Sequence, residues 1–389
     1  MRLLAALVAI TQHAAAAELN FREHLIAGDL KGGYQVVAVD MNRDGKTDLI
    51  ALASGLTELV WFENPTWQRH VIAGKLSRMI NVAPSDTAPL DKHGDGVPEL
   101  ALALAHEFAN QAKNSTGVVS VLRHQGDPRK LWKVTEIDRL TTSHRLRWAD
   151  IDGSGSKVLI NAPLSGARAE PPDYRDAAPL VFYRPGAWKR EMITDANQGV
   201  VHGILIERWD GGKRDHVFTA SFLGIHRHYL DKSGMWQRVE ISRGNPAPWP
   251  ASGSSDVAVG KVKTGRFLAA IEPWHGNQVA VYRETARNGF ARTVIDDSLV
   301  DGHTILTVDF DRDGNDEIVA GFRGAGRSVY IYWRRKGEDK WDRQTLDDGG
   351  IAAAGCAAAD LNGDRRLDVA CIGSATANLK WYENAGRRK

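Results

Sequence analysis

Asp40-Met-Asn42-Arg-Asp44-Gly45-Lys-Thr-Asp48 is the stretch that decides the fold. It places side-chain oxygens at positions 1, 3, 5 and 9 of a short loop. A hard cation such as Ca²⁺ is held by several oxygens, and a tight loop with alternating carboxylates supplies them. An EF-hand is excluded, because its loop closes with a bidentate Glu at the twelfth position between two helices. Here the loop lies between apolar runs of strand type, 36–39 before it and 49–53 after it. The reading is therefore a cation loop in a β-hairpin.

The pattern recurs as Asp309-Phe-Asp311-Arg-Asp313-Gly314-Asn-Asp316-Glu317 and as Asp360-Leu-Asn362-Gly363-Asp364-Arg-Arg-Leu-Asp368. The expected structural Ca²⁺ ligands are thus Asp40, Asn42, Asp44 and Asp48, then Asp309, Asp311, Asp313 and Glu317, then Asp360, Asn362, Asp364 and Asp368. Weaker copies fill the gaps. Asp91-Lys-His93-Gly-Asp95-Gly96-Val-Pro-Glu99 has His at the third position and is expected to bind weakly or not at all. Asp150-Ile-Asp152-Gly-Ser is truncated, Asp210-Gly-Gly212 keeps little, and near 260–265 the acids are gone. The resulting period, about 50 to 60 residues, is that of propeller blades rather than short solenoid repeats.

A second recurring segment has the same period. It reads Trp67-Gln-Arg-His-Val-Ile, Trp132-Lys-Val-Thr-Glu-Ile, Trp188-Lys-Arg-Glu-Met-Ile, Trp236-Gln-Arg-Val-Glu-Ile, Phe290-Ala-Arg-Thr-Val-Ile and Trp341-Asp-Arg-Gln-Thr-Leu. A further copy, Phe21-Arg-Glu-His-Leu-Ile26, stands near the N-terminus. Between loop and end segment lies an alternating aromatic strand, as in Leu59-Val-Trp-Phe-Glu or Leu379-Lys-Trp-Tyr-Glu. Each unit is read as four antiparallel strands with the acidic loop between the first and second. The last unit lacks its fourth strand, and 21–26 supplies it. The expectation is an all-β, seven-bladed β-propeller of four-stranded antiparallel blades, closed by an N-terminal strand that completes the last blade. Closure protects sheet edges. The irregular blades 2 to 5 leave six or eight blades as alternatives.

The 389 residues carry a formal net charge of +2. Lys and Arg are scattered, so no nucleic acid or anionic membrane is expected as partner. Residues 1–17 read as a secretory signal, with Arg2, an apolar core at 3–10 and small residues at 14–17. Residues 18–389 read as one propeller domain. No stretch is long enough to span a bilayer. The expected location is secreted or periplasmic. Cys356 and Cys371, the only cysteines, fall nearly opposite each other across the last acidic loop. They read either as a disulfide, which export permits, or as two small buried hydrophobes. The oligomeric state is not legible.

Among the 13 histidines, several fall at blade ends away from the acidic loops. His144, His202 and His303 open first strands, and Tyr34 takes that place in blade 1. After second strands come His106, Ser221 with His226, Glu272-Pro-Trp274-His275, and Arg323. Any one histidine is read as readily as a hydrogen-bonded core residue. Together they point at one axial mouth. Imidazoles in such numbers bind Zn²⁺ or another divalent metal, or act as general acid and base. Arg323 suits a carboxylate or an oxyanion. The candidate catalytic set is His106, His144, His202, His226, His275, His303, Arg323 and Tyr34. Trp274, Glu272 and Ser221 are candidate substrate contacts, and a sugar or polysaccharide is the expected partner. His70 is expected on an outer strand, facing solvent. No phosphate-binding loop or nucleophile elbow is visible.

The three loops, with the ends Trp-Phe-Glu-Asn-Pro and Trp-Tyr-Glu-Asn, resemble the VCBS/FG-GAP repeat family. That resemblance implies an integrin-alpha-like propeller with calcium in the loops. More narrowly, Val-His202-Gly-Ile, Thr-Ala-Ser221-Phe-Leu-Gly-Ile-His226, Ile-Glu272-Pro-Trp-His275-Gly-Asn-Gln-Val and Asp-Gly-His303 through Arg323 look like the propeller part of aldos-2-ulose dehydratase. This likeness implies removal of water from keto-sugars in a metal-bearing mouth. The sequence read here ends at the propeller without a cupin-type region, so a second, isomerising activity is not expected. Propeller polysaccharide lyases, with His and Tyr or Arg in the mouth, are a neighbouring comparison. Two functions stay open: a lyase acting by metal-assisted β-elimination, and a non-enzymatic calcium-stabilised binding or adhesion module.

Overall fold

A computed structural model describes residues 18–85, 100–286, 289–335 and 340–387. The signal-like segment 1–17 and the weak acidic loop 91–99 lie outside the described residues. The chain forms seven four-stranded antiparallel sheets. Blades 1 to 6 span 33–73, 81–139, 143–198, 201–242, 256–296 and 302–348. Blade 7 takes Ala353–Ala359, Asp368–Gly373 and Leu379–Arg387 from the C-terminal end and Leu19–Ala27 from the N-terminal end. The closing register sets Phe21 opposite Asn384 and His24 opposite Trp381. The expected seven-bladed ring and its closure are both observed.

Burial follows position in the blade. The second strands are buried at every residue, as in Asp48–Ala53, Val158–Pro163 and Glu317–Phe322, except at the start of Gly265–Glu272. They are covered on both faces by neighbouring blades, so they read as near-continuous apolar runs rather than alternating ones. The fourth strands are mostly half-buried or exposed, and Lys133–Arg139 is the most exposed of them. His70, expected to face solvent, does not. It stacks on Trp61 with ring centroids 4.8 Å apart and bonds Glu63 at 2.8 Å. Both partners come from the adjacent third strand, which a single strand's alternation does not reveal.

Adjacent blades are joined by a repeated polar latch. A carboxylate at the end of one blade's fourth strand accepts from a buried Tyr and a cation of the next blade. Asp138 takes Tyr183 at 2.6 Å and Arg190 at 2.7 Å; Asp296 takes Tyr332 and Arg343, each at 2.8 Å. Asp347 takes Tyr382 at 2.7 Å and Lys380 at 2.9 Å. Cys356 and Cys371 face each other in register and form a disulfide.

The first strands of all seven blades surround the axis. They enclose a central cavity of about 590 Å³ whose lining includes Tyr34, Arg145, Arg147, Asp256 and His303. Each first strand runs from the mouth toward its first-to-second-strand loop, so mouth residues and acidic loops lie at opposite strand ends.

Candidate active site at the axial mouth

The mouth is built by a repeated backbone irregularity. In blades 1, 3, 4, 6 and 7 the first and second strands shift register at the second residue of the first strand. The shifts fall between Gly33 and Gln35, Ser143 and Arg145, Val201 and Gly203, Gly302 and Thr304, and Ala353 and Gly355. The residues inside them are Tyr34, His144, His202, His303 and Ala354. A β-bulge leaves one residue outside the ladder and re-aims its side chain. Five blades thereby present one residue each at the same level of the ring. His275 arrives by a different route, from the turn after the second strand of blade 5. Its φ is +50°, a left-handed conformation uncommon for a side-chain-bearing residue. Its N–H donates to Ser255 Oγ at 3.3 Å.

The four imidazoles are in contact. Ring centroids lie 5.1 Å apart for His144 and His202, 4.9 Å for His202 and His275, 5.0 Å for His202 and His303, and 5.1 Å for His275 and His303. One ring nitrogen from each of His202, His275 and His303 falls within 4.8 Å of the others. The Nδ1 atoms of His202 and His303 have carbonyl acceptors, Ser255 O at 3.2 Å and Ala354 O at 2.5 Å, whereas Nδ1 of His275 accepts from Arg323 Nη2. Nδ1–H donation of this kind leaves the Nε2 lone pairs of His202 and His303 free, while neutral His275 carries its proton on Nε2 and aims it at His202 Nε2. The Nε2 atoms of His202 and His275 are 3.3 Å apart, and that of His303 is buried without a partner. A ring nitrogen oriented by a carbonyl or carboxylate is the usual outer-shell arrangement of a metal-bound His. The donor set fits a divalent ion such as Zn²⁺. Burial pushes His144, His202 and His303 well below the usual imidazole range and His275 down to about 4. All four are neutral near pH 7, as ligands and general bases require.

Beside this cluster, the Tyr34 phenol shares its proton with His144 Nε2 at 2.9 Å and accepts from Arg145 Nη1 at 3.3 Å. Arg323 donates to His275 Nδ1 at 3.2 Å and clamps Asp301 through Nε at 3.1 Å and Nη2 at 2.9 Å. Trp274 packs on Tyr174, Phe222 and His275 and forms a wall of the mouth.

The structure thus assembles His144, His202, His275, His303, Tyr34, Arg323 and Trp274. Four expected residues do not join them. His106 ends the second strand of blade 2 and lies along its own sheet, bonded to Ser120 Oγ at 3.0 Å. His226 is not in a loop after the second strand. The hairpin at 222–223 is so short that His226 is already within the third strand, opposite Thr219. Ser221 engages that hairpin through Gly224 O and Leu223 N–H. Glu272 is fully enclosed, held by Ser254 at 2.8 Å, Arg292 at 2.8 Å and Tyr282. Its carboxylate ties its blade together and does not face the mouth. Arg145 and Asp301 were missed. Arg145 follows a mouth His directly, where strand alternation argues for the opposite face, and only the bulge brings both to one site.

The acidic loops differ among themselves. In each, the first residue accepts loop N–H groups: Asp40 from Asp44 and Gly45, Asp309 from Asp313 and Gly314, Asp360 from Gly363 and Arg365. At position 9, Asp48 gives both oxygens to backbone N–H groups of Met41 and Asn64, and Asp368 to those of Leu361 and Asn384. Glu317, one methylene longer, accepts from Phe310 through one oxygen. Asp309, Asp311 and Glu317 bring carboxylate oxygens within 4.8 Å of one another. Burial, with the neighbouring acids adding to it, pushes Glu317 up to about 8. That donor set is hard and anionic and fits Ca²⁺.

Blades, closure and acidic hairpins define the class of protein: a seven-bladed propeller built on acidic-loop repeats. Two solved structures share that fold, the propeller of Dos1 and BBS1N in its complex with ARL6DN. They superpose with TM-scores of 0.55 and 0.56 at 10% and 11% identity, covering 92% and 95% of this chain and 83% and 98% of theirs. A family model for an FG-GAP-like repeat matches residues 309–371. More particularly, residues 116–285 match the family model "Aldos-2-ulose dehydratase, beta-propeller domain". The aldos-2-ulose dehydratase of Phanerodontia chrysosporium is 26% identical over 237 residues, 54% of this chain and 26% of that protein. The chain therefore spans about a quarter of that relative's length.

Proposed function

We propose that this chain is an exported carbohydrate lyase of the dehydratase kind, acting by β-elimination at the axial mouth. The observation that carries the reading is the convergence of His202, His275 and His303, the first and last buried and turned by Nδ1–H donation to backbone carbonyls, beside a Tyr–His pair. The likeness to an aldos-2-ulose dehydratase propeller supports the reaction class. When bound by His202, His275 and His303, a divalent metal supplies a Lewis acid for a substrate carbonyl. The Tyr34–His144 pair carries the proton. His144 Nε2 withdraws the phenol proton as Tyr34 Oη takes the proton from the carbon alpha to the carbonyl, leaving its electron pair on that carbon. The α-carbon to β-carbon double bond forms as the β C–O bond breaks. The same pair returns one proton to the departing hydroxyl, so one water leaves and nothing is oxidised. The Arg323–Asp301 clamp orients His275. Ca²⁺ in the acidic loops, most completely at Asp309, Asp311 and Glu317, stiffens the end of the ring away from the chemistry.

The product is conjugated, so ultraviolet absorbance reports it across keto-sugars and uronic-acid polymers. His202→Ala, His275→Ala and His303→Ala are expected to abolish the signal and to lose stoichiometric zinc or manganese. Fully active, metal-free triple mutants would remove the chemistry from the mouth. Calcium-stabilised loops also suit a binding module. That reading prevails if the wild type binds glycans in a calorimeter and turns over none.

A further inference from the structure

We propose that Arg145 anchors an anionic group of the substrate, so that the mouth takes carboxylate-bearing sugars in preference to neutral ones. This rests on the carbohydrate reading of the same mouth. Two arginines reach the mouth. Arg323 gives its fork to Asp301 and is neutralised there. Arg145 is 8% exposed. Among the described residues no carboxylate lies within ion-pair distance of it. Its hydrogen bond is from Nη1 to the Tyr34 phenol at 3.3 Å, and its guanidinium lies 5.3 Å from that ring's centroid. A guanidinium has five N–H donors, so most of this one is unused. Enclosing a cation with no counter-charge is costly unless something arrives to pair it.

The surroundings supply that charge only in part, through Asp256 beyond ion-pair distance. After burial, Arg145 helps hold all four mouth imidazoles neutral. Asp256, in the same cavity, feels both Arg145 and Arg147, and burial pushes its carboxyl up to about 6. Of the remaining charged lining residues, Lys157 adds to the positive side and Glu207 opposes it. Arg147, two residues further along the strand from the mouth, commits Nη1 to Asn81 Oδ1 and Leu146 O. Arg145 is thus the cation with both free donors and access to the cavity beside the Tyr34–His144 pair. A planar fork matched to a carboxylate gives two parallel charge-assisted bonds and fixes orientation. A sugar acid held this way has its carboxylate at Arg145 and its ring against the imidazoles.

Calorimetric titration of the full chain tests this, with D-glucuronate against D-glucose and 2-keto-D-gluconate against D-fructose. The wild type is expected to bind the acid of each pair at least about tenfold more tightly. Arg145→Gln should bring that ratio near one. Arg145→Lys, which keeps the charge and loses the fork, should retain part of it and carries the test if the Gln variant does not fold. Equal wild-type affinity for acid and neutral sugars, or an undiminished ratio in both variants, overturns the role of Arg145 and leaves the carbohydrate reading standing. If no sugar of either class binds, the carbohydrate reading falls and this inference falls with it.

Discussion

Tyr34 and His144 come from blades 1 and 3, and their hydrogen bond is the contact on which the proposed proton transfer depends. Tyr34→Phe removes one oxygen from a packed ring and should leave the melting temperature nearly unchanged. Turnover in the absorbance assay should drop by roughly 10²–10⁴-fold, the usual contribution of a positioned acid–base group. A Phe variant with wild-type turnover would assign the proton elsewhere. Two histidines outside the mouth make a separate prediction. Burial pushes His226 down to about 4 and His228 to about 3. Folding therefore favours their neutral forms, and the unfolded chain binds more protons below its ordinary imidazole range. Stability should fall as pH drops from about 6.5 toward about 3, and should be flat with respect to these groups above pH 7. His228→Asn should make the acid limb of a melting-temperature profile shallower. An unchanged slope would locate the acid sensitivity elsewhere. The mouth imidazoles were legible in the sequence because they open strands or follow them at equivalent places. His106 and His226 misled because a strand-end His and a His two residues past a tight hairpin look alike without the register.

At the scale of elements, the bulges and latches are what the sequence hid. A bulge adds one residue without altering composition, so Tyr34, His144, His202 and His303 carry no local mark of being re-aimed. The latches were half visible. Ile-Asp138, Ile-Asp296 and Leu-Asp347 each end a recurring fourth strand, yet their Tyr partners lie 35 to 45 residues on. Asp347 is 4% exposed and holds both Tyr382 and Lys380. Asp347→Ala leaves the buried Tyr382 hydroxyl without its acceptor and the Lys380 ammonium with Glu23 alone, and should cost roughly 2 kcal/mol in denaturant unfolding. A loss under about 1 kcal/mol would show the latch to be dispensable. The acidic loops were the most legible elements of all, since their ligand spacing is local. If they hold Ca²⁺, chelator lowers the melting temperature by mass action. Asp313→Ala, in the loop that gathers three carboxylates, should shrink that shift. A wild-type curve unmoved by chelator would make these loops ordinary turns.

The whole molecule is a ring fastened by its own two ends. Seven blades were countable from the sequence because each repeats one acidic hairpin or one aromatic end strand, and the odd copy at 21–26 had a single vacancy to fill. Deleting 18–27 should strip the outer strand from blade 7, bare the edge of Leu379–Arg387 and yield a protease-sensitive or aggregating chain. A deletion variant as monomeric and stable as the parent would mean that closure is ornamental. The same pairing imposes an order in time. Leu19 faces Arg387 in the finished sheet, so the first propeller strand to be made is among the last to find its partner. Blades 1 to 6 can condense from local contacts while the chain is still being made. The ring itself can lock only once the final strand has appeared. Until then the leading strand waits as an open edge, free to be captured by the same edge of another nascent copy.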